Sequence, residues 1–557
     1  MTTDNTIFAC SKENADHAYV FPWQNVAHLL SERARQTPDK SAIVYRDLDA
    51  GERSEITYAE LYRRTGEIAL RLRSDFGIGP GDRVAMALPN CPEIQLLTLA
   101  LFRLGATSVP LDLTKDVPER KRYKIEDSGA RFLCVRPDFP KEEADLLSGV
   151  RIVSTDDLMD PGNGTPANEV DAEPDWAQDE ATRQHANIIL YTSGTTGQPK
   201  GVLLTRQSIV SNADGIIRWL GFTENERLAL MLPFHHVNST VFAVTMLMVG
   251  GTMVLKSRYS VSNFWPVMES ERATAASVVP TIMRDLLARV DEFPPENYDL
   301  SNLKKIMIGS APVPAGAACR FYDRFGIRLV QGYGTTEVSL RVTGVPPDLP
   351  DEEYREVLAQ NAAGVELGNN NISIHGSPEE GELGEIRVRG PVVSGGYLNQ
   401  PEATADVFRD GWFYTGDIGF WREISGRRYY FVHGRKKEIL IKGGVNISPI
   451  AVENALVESF PEIASAYVIG RDHERWGEDI CAVVIFKESV SVSEHKAIAE
   501  RILQAGSDGG IRNLSAYESP SEVIPFQAGG LPMTSTGKVQ RGALRTLVNN
   551  GIRPSIS

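Results

Sequence analysis

Residues Tyr191–Val202 read YTSGTTGQPKGV and directly follow the apolar run ANIIL (186–190). Gly194, Gly197 and Gly201 permit positive φ and close backbone approach. Thr192, Ser193, Thr195 and Thr196 add hydroxyls, and Lys200 adds a charge. Exposed amides, hydroxyls and one ammonium together have the chemistry of a phosphate cradle; on composition alone, a flexible polar loop is the alternative. The spacing predicts a strand, this loop, and a helix beginning near Thr205. No GxxxxGK[ST] is present, nor GxGxxG, HExxH or GxSxG, so the usual signals of P-loop, dinucleotide, zinc-protease and serine-hydrolase chemistry are missing.

Outward from that loop, helical and strand patterns alternate. Trp23–Thr37 has helical spacing, Ser41–Tyr45 is a short apolar run, and ITYAELYRRTGEIALRLRSDFG ends a helical pattern on Gly77. The strand in GPGDRVAMALPN, the helix EIQLLTLALFRLG and the strand ATSVPLDL come next. Repeats of this kind, with Gly/Pro joints, predict an α/β fold of parallel sheets covered by helices. Asp160–Thr182 reads as a surface connection. The uncharged stretch Val237–Leu255 is interrupted by Gly250-Gly251, so it predicts a buried helix leading into a strand rather than a membrane span.

The chain has 557 residues, enough for several cores, with 58 Lys+Arg against 73 Asp+Glu and a net charge of −15. That balance repels a phosphate backbone and disfavours nucleic-acid binding. Any polyanionic ligand must be met by local cations. The five cysteines (Cys10, Cys91, Cys134, Cys319, Cys481) show no CxxC spacing, which fits a reducing compartment. With no basic-then-apolar start, the expectation is a cytoplasmic protein without integral membrane association. Composition shifts near residue 434, where the basic, Gly-rich HGRKKEILIKGGVNISP opens a new strand–helix series. The expected division is a large domain over 1–433, a hinge over 434–437 and a small α+β domain over 438–557. Residues 531–557 carry Lys538, Arg541, Arg545 and Arg553 and no acid, a natural place for an anion contact.

The strings LPFHHVN (232–238), VVPTIM (278–283), GSAPVP (309–314), GYGTTE (332–337), GEIRVRGPVVSGGYLNQPEAT, WFYTGD (412–417), GRKKEILIKGGVNISP and LPMTSTGKVQR follow YTSGTTGQPKGV in order. In this the chain resembles the adenylate-forming superfamily of acyl- and aryl-CoA ligases, luciferases and peptide-synthetase adenylation domains, over nearly its whole length. The resemblance implies that ATP and Mg²⁺ activate a small-molecule carboxylic acid and that coenzyme A then accepts the acyl group. A carrier protein, an amine or oxygen is the alternative acceptor, and a degenerate nucleotide-binding regulator is the non-enzymatic alternative. A homodimer is compatible with it.

By the same resemblance, Glu337 holds Mg²⁺, Thr335 and Thr336 donate to phosphate, and Tyr333 lies against adenine. Gly309, Ser310, Ala311 and Pro312 line the other face of that base, beside Gly332 and Gly334. Asp417 accepts the ribose hydroxyls, and Arg435 contacts ribose and phosphate. Lys538 bridges acid and ATP during adenylation, and Lys437 is the hinge between half-reactions. Lys538, Glu337, Thr336 and His235 are thus the expected catalytic set. His235, His236, Asn238, Val279, Gly309, Gly334, Val338 and Arg341 are the expected acid pocket. A Trp replaces Gly334 in acetate enzymes of the family, so Gly334 implies an acid larger than acetate or propionate. His235 stands where α-amino-acid domains carry Asp, which favours an aryl or medium-to-long acid.

Three departures from the family pattern stand out. FWREISG replaces the usual acidic turn after YTGDIG, and no proline follows Gly364. Arg341 stands where many relatives carry apolar residues, and it points either outward or into the pocket.

Overall fold

A computed structural model describes residues 21–147, 149–159, 185–192, 198–376, 379–534 and 539–551. Ser193–Gly197, Lys538 and Arg553 therefore lie outside the described residues. Among the described residues the large N-terminal domain holds two parallel-rich sheets. One has nine strands, ordered Val365–Glu366, Thr343–Gly344, Arg328–Tyr333, Lys305–Ile308, Ala275–Val278, Arg227–Leu230, Thr252–Lys256, Ser41–Arg46 and Arg53–Thr57. Its middle is parallel and its last strands at either side are antiparallel. The other has six strands, with Thr107–Pro110 beside Ala186–Thr192 and Lys200–Thr205 at the edge.

Helices between the sheets explain why so much of this sequence is apolar without interruption. Pro92–Arg103, Arg206–Leu220 and Val237–Val249 contribute buried side chains to one core that also takes Leu190, Val202 and Val330 from the strands. Helix Val237–Val249 ends on Gly250 in the left-handed conformation (φ 72°), and strand Thr252–Lys256 follows. Glycine closes a helix this way because it has no Cβ to clash. No described helix is long and apolar enough to cross a membrane.

The helix expected near Thr205 is present as Arg206–Leu220, capped by Thr205, but a strand precedes it that the sequence pattern did not reveal. Lys200–Thr205 is a strand antiparallel to Ala186–Thr192, with Thr192 opposite Lys200. Val202 and Leu204 fill the core from it while Thr205 caps the next helix through Ser208. Ala186–Thr192 and Lys200–Thr205 therefore form an antiparallel pair ahead of that helix.

A five-stranded antiparallel sheet follows, built on the long hairpin Trp412–Ile424 and Arg427–Arg435. Its turn is Ser425-Gly426, both at positive φ (50° and 75°). A two-residue turn of that kind matches strand twist, which accounts for the departure FWREISG. Gly364 (φ 106°) passes so close to Gly344 that a Cβ would collide with its backbone. The small C-terminal domain packs Pro449–Ser459 and His495–Ser507 on a sheet of Ile463–His473, Gly477–Phe486, Glu522–Pro525, Leu440–Lys442 and Val445–Ile447.

Candidate active site

The strand Arg328–Tyr333 delivers GYGTTE to the end of the nine-stranded sheet, followed by a single tight turn, Thr336–Val338. Two polar clusters meet along it. In the first, Tyr333 Oη donates to Asp417 Oδ2 (2.8 Å) and Arg435 Nε to Asp417 Oδ1 (2.8 Å). Asp417 is 4% exposed and pairs in register with Arg435 on the long hairpin. That carboxylate holds Arg435 above its ordinary pKa. Two oxygens carry about four acceptor positions, so Asp417 retains capacity for further donors.

In the second cluster, Tyr397 Oη donates to Glu337 Oε1 (2.9 Å), and Lys200 Nζ lies 4.8 Å from the centre of the Tyr397 ring. The backbone N–H of Ser394 donates to the Glu337 carbonyl (2.8 Å), fixing the turn. Burial and the Glu337 carboxylate push the Tyr397 hydroxyl far up, so it stays a donor. Thr335 Oγ1 is buried without a partner among the described residues. No group of three or more His, Cys, Asp or Glu able to hold a metal occurs among the described residues. A single carboxylate beside the Thr335 and Thr336 hydroxyls suits Mg²⁺, which takes one or two carboxylates and keeps substrate phosphates and water as its other ligands.

On the acid side, His235 Nε2 stands 3.3 Å from Asp112 Oδ2, at the end of the strand Thr107–Pro110. His236 caps helix Val237–Val249, its Nδ1 accepting from Asn238 N. Burial first, and then the neighbouring His235 and Arg341, push its pKa down to about 4. Asn238 Oδ1 accepts from Ser277 Oγ (2.8 Å). Val279 caps the helix Pro280–Ala288 and Val338 packs in the core under the antiparallel sheet. Ser310 follows Gly309 in the left-handed conformation (φ 67°), turning the chain ahead of Ala311 and Pro312.

Arg341 does not point outward: it is 1% exposed. Its side chain lies across Gly309 and Gly332, where a Cβ on Gly309 would strike the guanidinium. Gly334 is a glycine for a local reason, because a Cβ there would run into the carbonyl of Leu340. The absence of a side chain at Gly334 is thus a requirement of the chain crossing, and by itself says little about acid size.

Lys437 is exposed between two differently tied neighbours. Lys436 donates to Gly416 O (2.8 Å) and pairs with Glu385 (3.0 Å), whereas Glu438 pairs with Arg541 (3.0 Å) in the small domain. The basic C-terminal stretch is not a free cationic patch where it is described. Arg541 also pairs with Glu453, and Arg545 pairs with Asp472 and Glu478.

Sequence reasoning passed over Asp112, Tyr397 and Asn212. Asn212 Nδ2 donates to Val338 O (3.0 Å) and Arg341 O (2.7 Å), pinning the turn after Glu337. Its signal was a polar residue on the apolar face of a helix; those of Asp112 and Tyr397 were positions inside strings already singled out.

A mixed α/β body carrying phosphate-loop strands, a lone acid in a Thr-rich turn and a buried aspartate paired with an arginine defines an adenylate-forming enzyme. The chain belongs to the AMP-binding enzyme family: that family matches residues 30–398, and the AMP-binding enzyme C-terminal domain matches residues 451–538. It is 34% identical to a feruloyl-CoA synthase of Amycolatopsis over 92% of this chain and 97% of that one. It is 32% identical to an oxalate–CoA ligase of Arabidopsis thaliana over 92% and 96%. The structure resembles o-succinylbenzoate CoA synthetase of Bacillus subtilis in complex with its acyl-adenylate intermediate, with TM-score 0.77, 28% identity, and coverage of 93% and 97%.

Proposed function

We propose that this enzyme activates an aryl or medium-to-long carboxylic acid with ATP and Mg²⁺, releasing pyrophosphate, and passes the acyl group to coenzyme A. The observation that carries the reading is the continuity of the two clusters: Tyr333 and Glu337 sit on one six-residue string, tied respectively to Asp417–Arg435 and to Tyr397–Lys200.

Attack of a carboxylate on a phosphate brings two anions together, so the barrier falls when fixed cations and donors surround them. Lys200, Thr335 and Thr336 face that task for the phosphates. Arg435 and Asp417 serve the ribose and its phosphate, and Tyr333 the base. Glu337 would hold Mg²⁺, which when bound screens phosphate charge. Tyr397 keeps one Glu337 oxygen oriented and leaves the other available. His235, held by Asp112, presents an oriented ring to the acid. Lys538 is assigned the bridge between acid and ATP.

The unequal anchoring of Lys436 and Glu438 supports a boundary at 434–437, with rotation about Lys437 separating adenylation from thioester formation. We further assign the enzyme to the cytoplasm, supported by five cysteines scattered without CxxC spacing. A screen of acids by pyrophosphate release, with products analysed after adding CoA or an acyl-carrier protein, tests the reading. Acid-dependent release followed by a CoA thioester is the expected result. Release without any thioester would move the chain to an amine- or carrier-acylating activity.

A further inference from the structure

Arg341 is a buried charge with no role in the proposed chemistry. Arg341 Nη1 donates to the carbonyl of Gly332, while Nε and Nη2 have no partner among the described residues. Burial pushes its pKa down to about 10, with no carboxylate acting against that shift. The group therefore remains a cation at neutral pH. A buried cation is costly unless paired, and a guanidinium fork matches a carboxylate in two parallel hydrogen bonds.

The backbone is built to keep it there. Ser339 (φ 57°) and Leu340 (φ 117°) both hold left-handed conformations, each at a cost for a residue with a side chain. Asn212 grips the turn from both sides, donating to Arg341 O (2.7 Å) and accepting from Arg341 N (3.3 Å). Gly309 and Gly332 clear the space the side chain fills. A second orphan donor belongs to the same expected pocket: Asn238 is fully buried and its Nδ2 has no partner among the described residues. His236, within electrostatic reach of Arg341, is held neutral and so competes with no anion. The guanidinium is the charged group among these orphans, and the component that would match its two open N–H positions is an acceptor carrying negative charge.

We propose that the acid is a dicarboxylic acid and that Arg341 binds the carboxylate that is not activated. This rests on the acid-ligase reading above. The activated carboxylate forms its new bond to the α-phosphorus, pyrophosphate leaves, and the resulting anhydride carbonyl carries no charge. A lasting anion at Arg341 must therefore be a second one. Substrate arrival, rather than folding, supplies the compensating charge.

Matched pairs of acids that differ by one carboxylate test this: octanoate against octanedioate, p-toluate against terephthalate, and o-toluate against phthalate. In the wild-type enzyme, kcat/KM for pyrophosphate release should favour the diacid of at least one pair by about 10- to 100-fold, the range of a charge-assisted hydrogen bond. Arg341→Met should reverse that ratio, and Arg341→Lys should keep its direction at smaller size. Equal or better use of the monoacid in every pair by wild type would overturn the proposal, and this comparison stands even if a variant misfolds. An equal fall for both members of a pair in Arg341→Met would also overturn it, leaving Arg341 a structural role. Calorimetric binding separates the two levels. Wild-type protein that binds diacids more tightly than monoacids, yet releases no pyrophosphate from any acid, would discard the ligase reading and keep the site.

Discussion

The proposed nucleotide end and the proposed acid end of this site handle charge in opposite ways. At the nucleotide end, Arg435 lies on Asp417, Glu337 accepts from Tyr397, and Lys200 rests on the same tyrosine ring. At the acid end, Arg341 is buried with two nitrogens unpaired among the described residues, Asn238 has an amide nitrogen in the same state, and His236 is kept neutral. Groups that meet the same ATP in every turnover can be oriented by protein partners in advance. A group that meets one particular acid can be left unsatisfied, because the penalty disappears only when the right ligand arrives.

That contrast breaks most directly at Glu337. Glu337→Gln should lower acid-dependent pyrophosphate exchange by about 10²–10³ at ordinary Mg²⁺, with unchanged circular dichroism and the same factor for every acid. A factor that varied with the acid would place Glu337 in recognition rather than in phosphate handling. Lys538→Ala should cost a similar factor, about 10²–10³, in adenylation, while supplied acyl-adenylate plus CoA still yields thioester. Lys437→Pro should instead slow the thioester step more than adenylation. Equal loss of both steps in both variants would mean the hinge does not divide the chemistry.

Smaller effects should sharpen the acid end. Asn212→Ala leaves the Arg341 and Val338 carbonyls unserved and should destabilise the protein by about 1–3 kcal/mol in urea unfolding. Its KM for the acid should rise more than its KM for ATP. Gly334→Ala forces a Cβ against Leu340 and should cost about 1–3 kcal/mol, with activity lost for short and long acids alike. A clean shift toward acetate would instead restore Gly334 as a gauge of acid size.

The smallest effect concerns pH. The His236 pKa falls from its ordinary 6.5 to about 4 on folding. Its contribution is therefore complete above pH 6.5 and is lost as pH falls from there toward 4. Thermal midpoints should decline over that window. His236→Asn, which retains a capping acceptor, should flatten the decline; an unchanged slope would assign the acid sensitivity to other groups.

Alternating strand and helix patterns, the helix–glycine–strand reading of Val237–Leu255 and the paired strands around the charged turn at 473–477 were all visible in the residues. Each rests on local periodicity and on glycine geometry. The strand Lys200–Thr205 was missed because a Gly/Thr loop followed by an apolar run looks like entry into a helix. Only its pairing with Ala186–Thr192 and its core contacts make it a strand.

The sequence by itself determined which short strings carry the residues proposed for the nucleotide end, since each string keeps its residues adjacent along the chain. Only the tertiary structure decided the partners. Tyr397 meets Glu337 across 60 positions, Asp112 meets His235 from another sheet, and Arg341 turns inward under Gly309 and Gly332 rather than out to water. The physical reason is that pairing, burial and the lack of a partner are properties of neighbours in space. A lone arginine after a Thr-rich turn carries no mark of whether water or a buried pocket receives it.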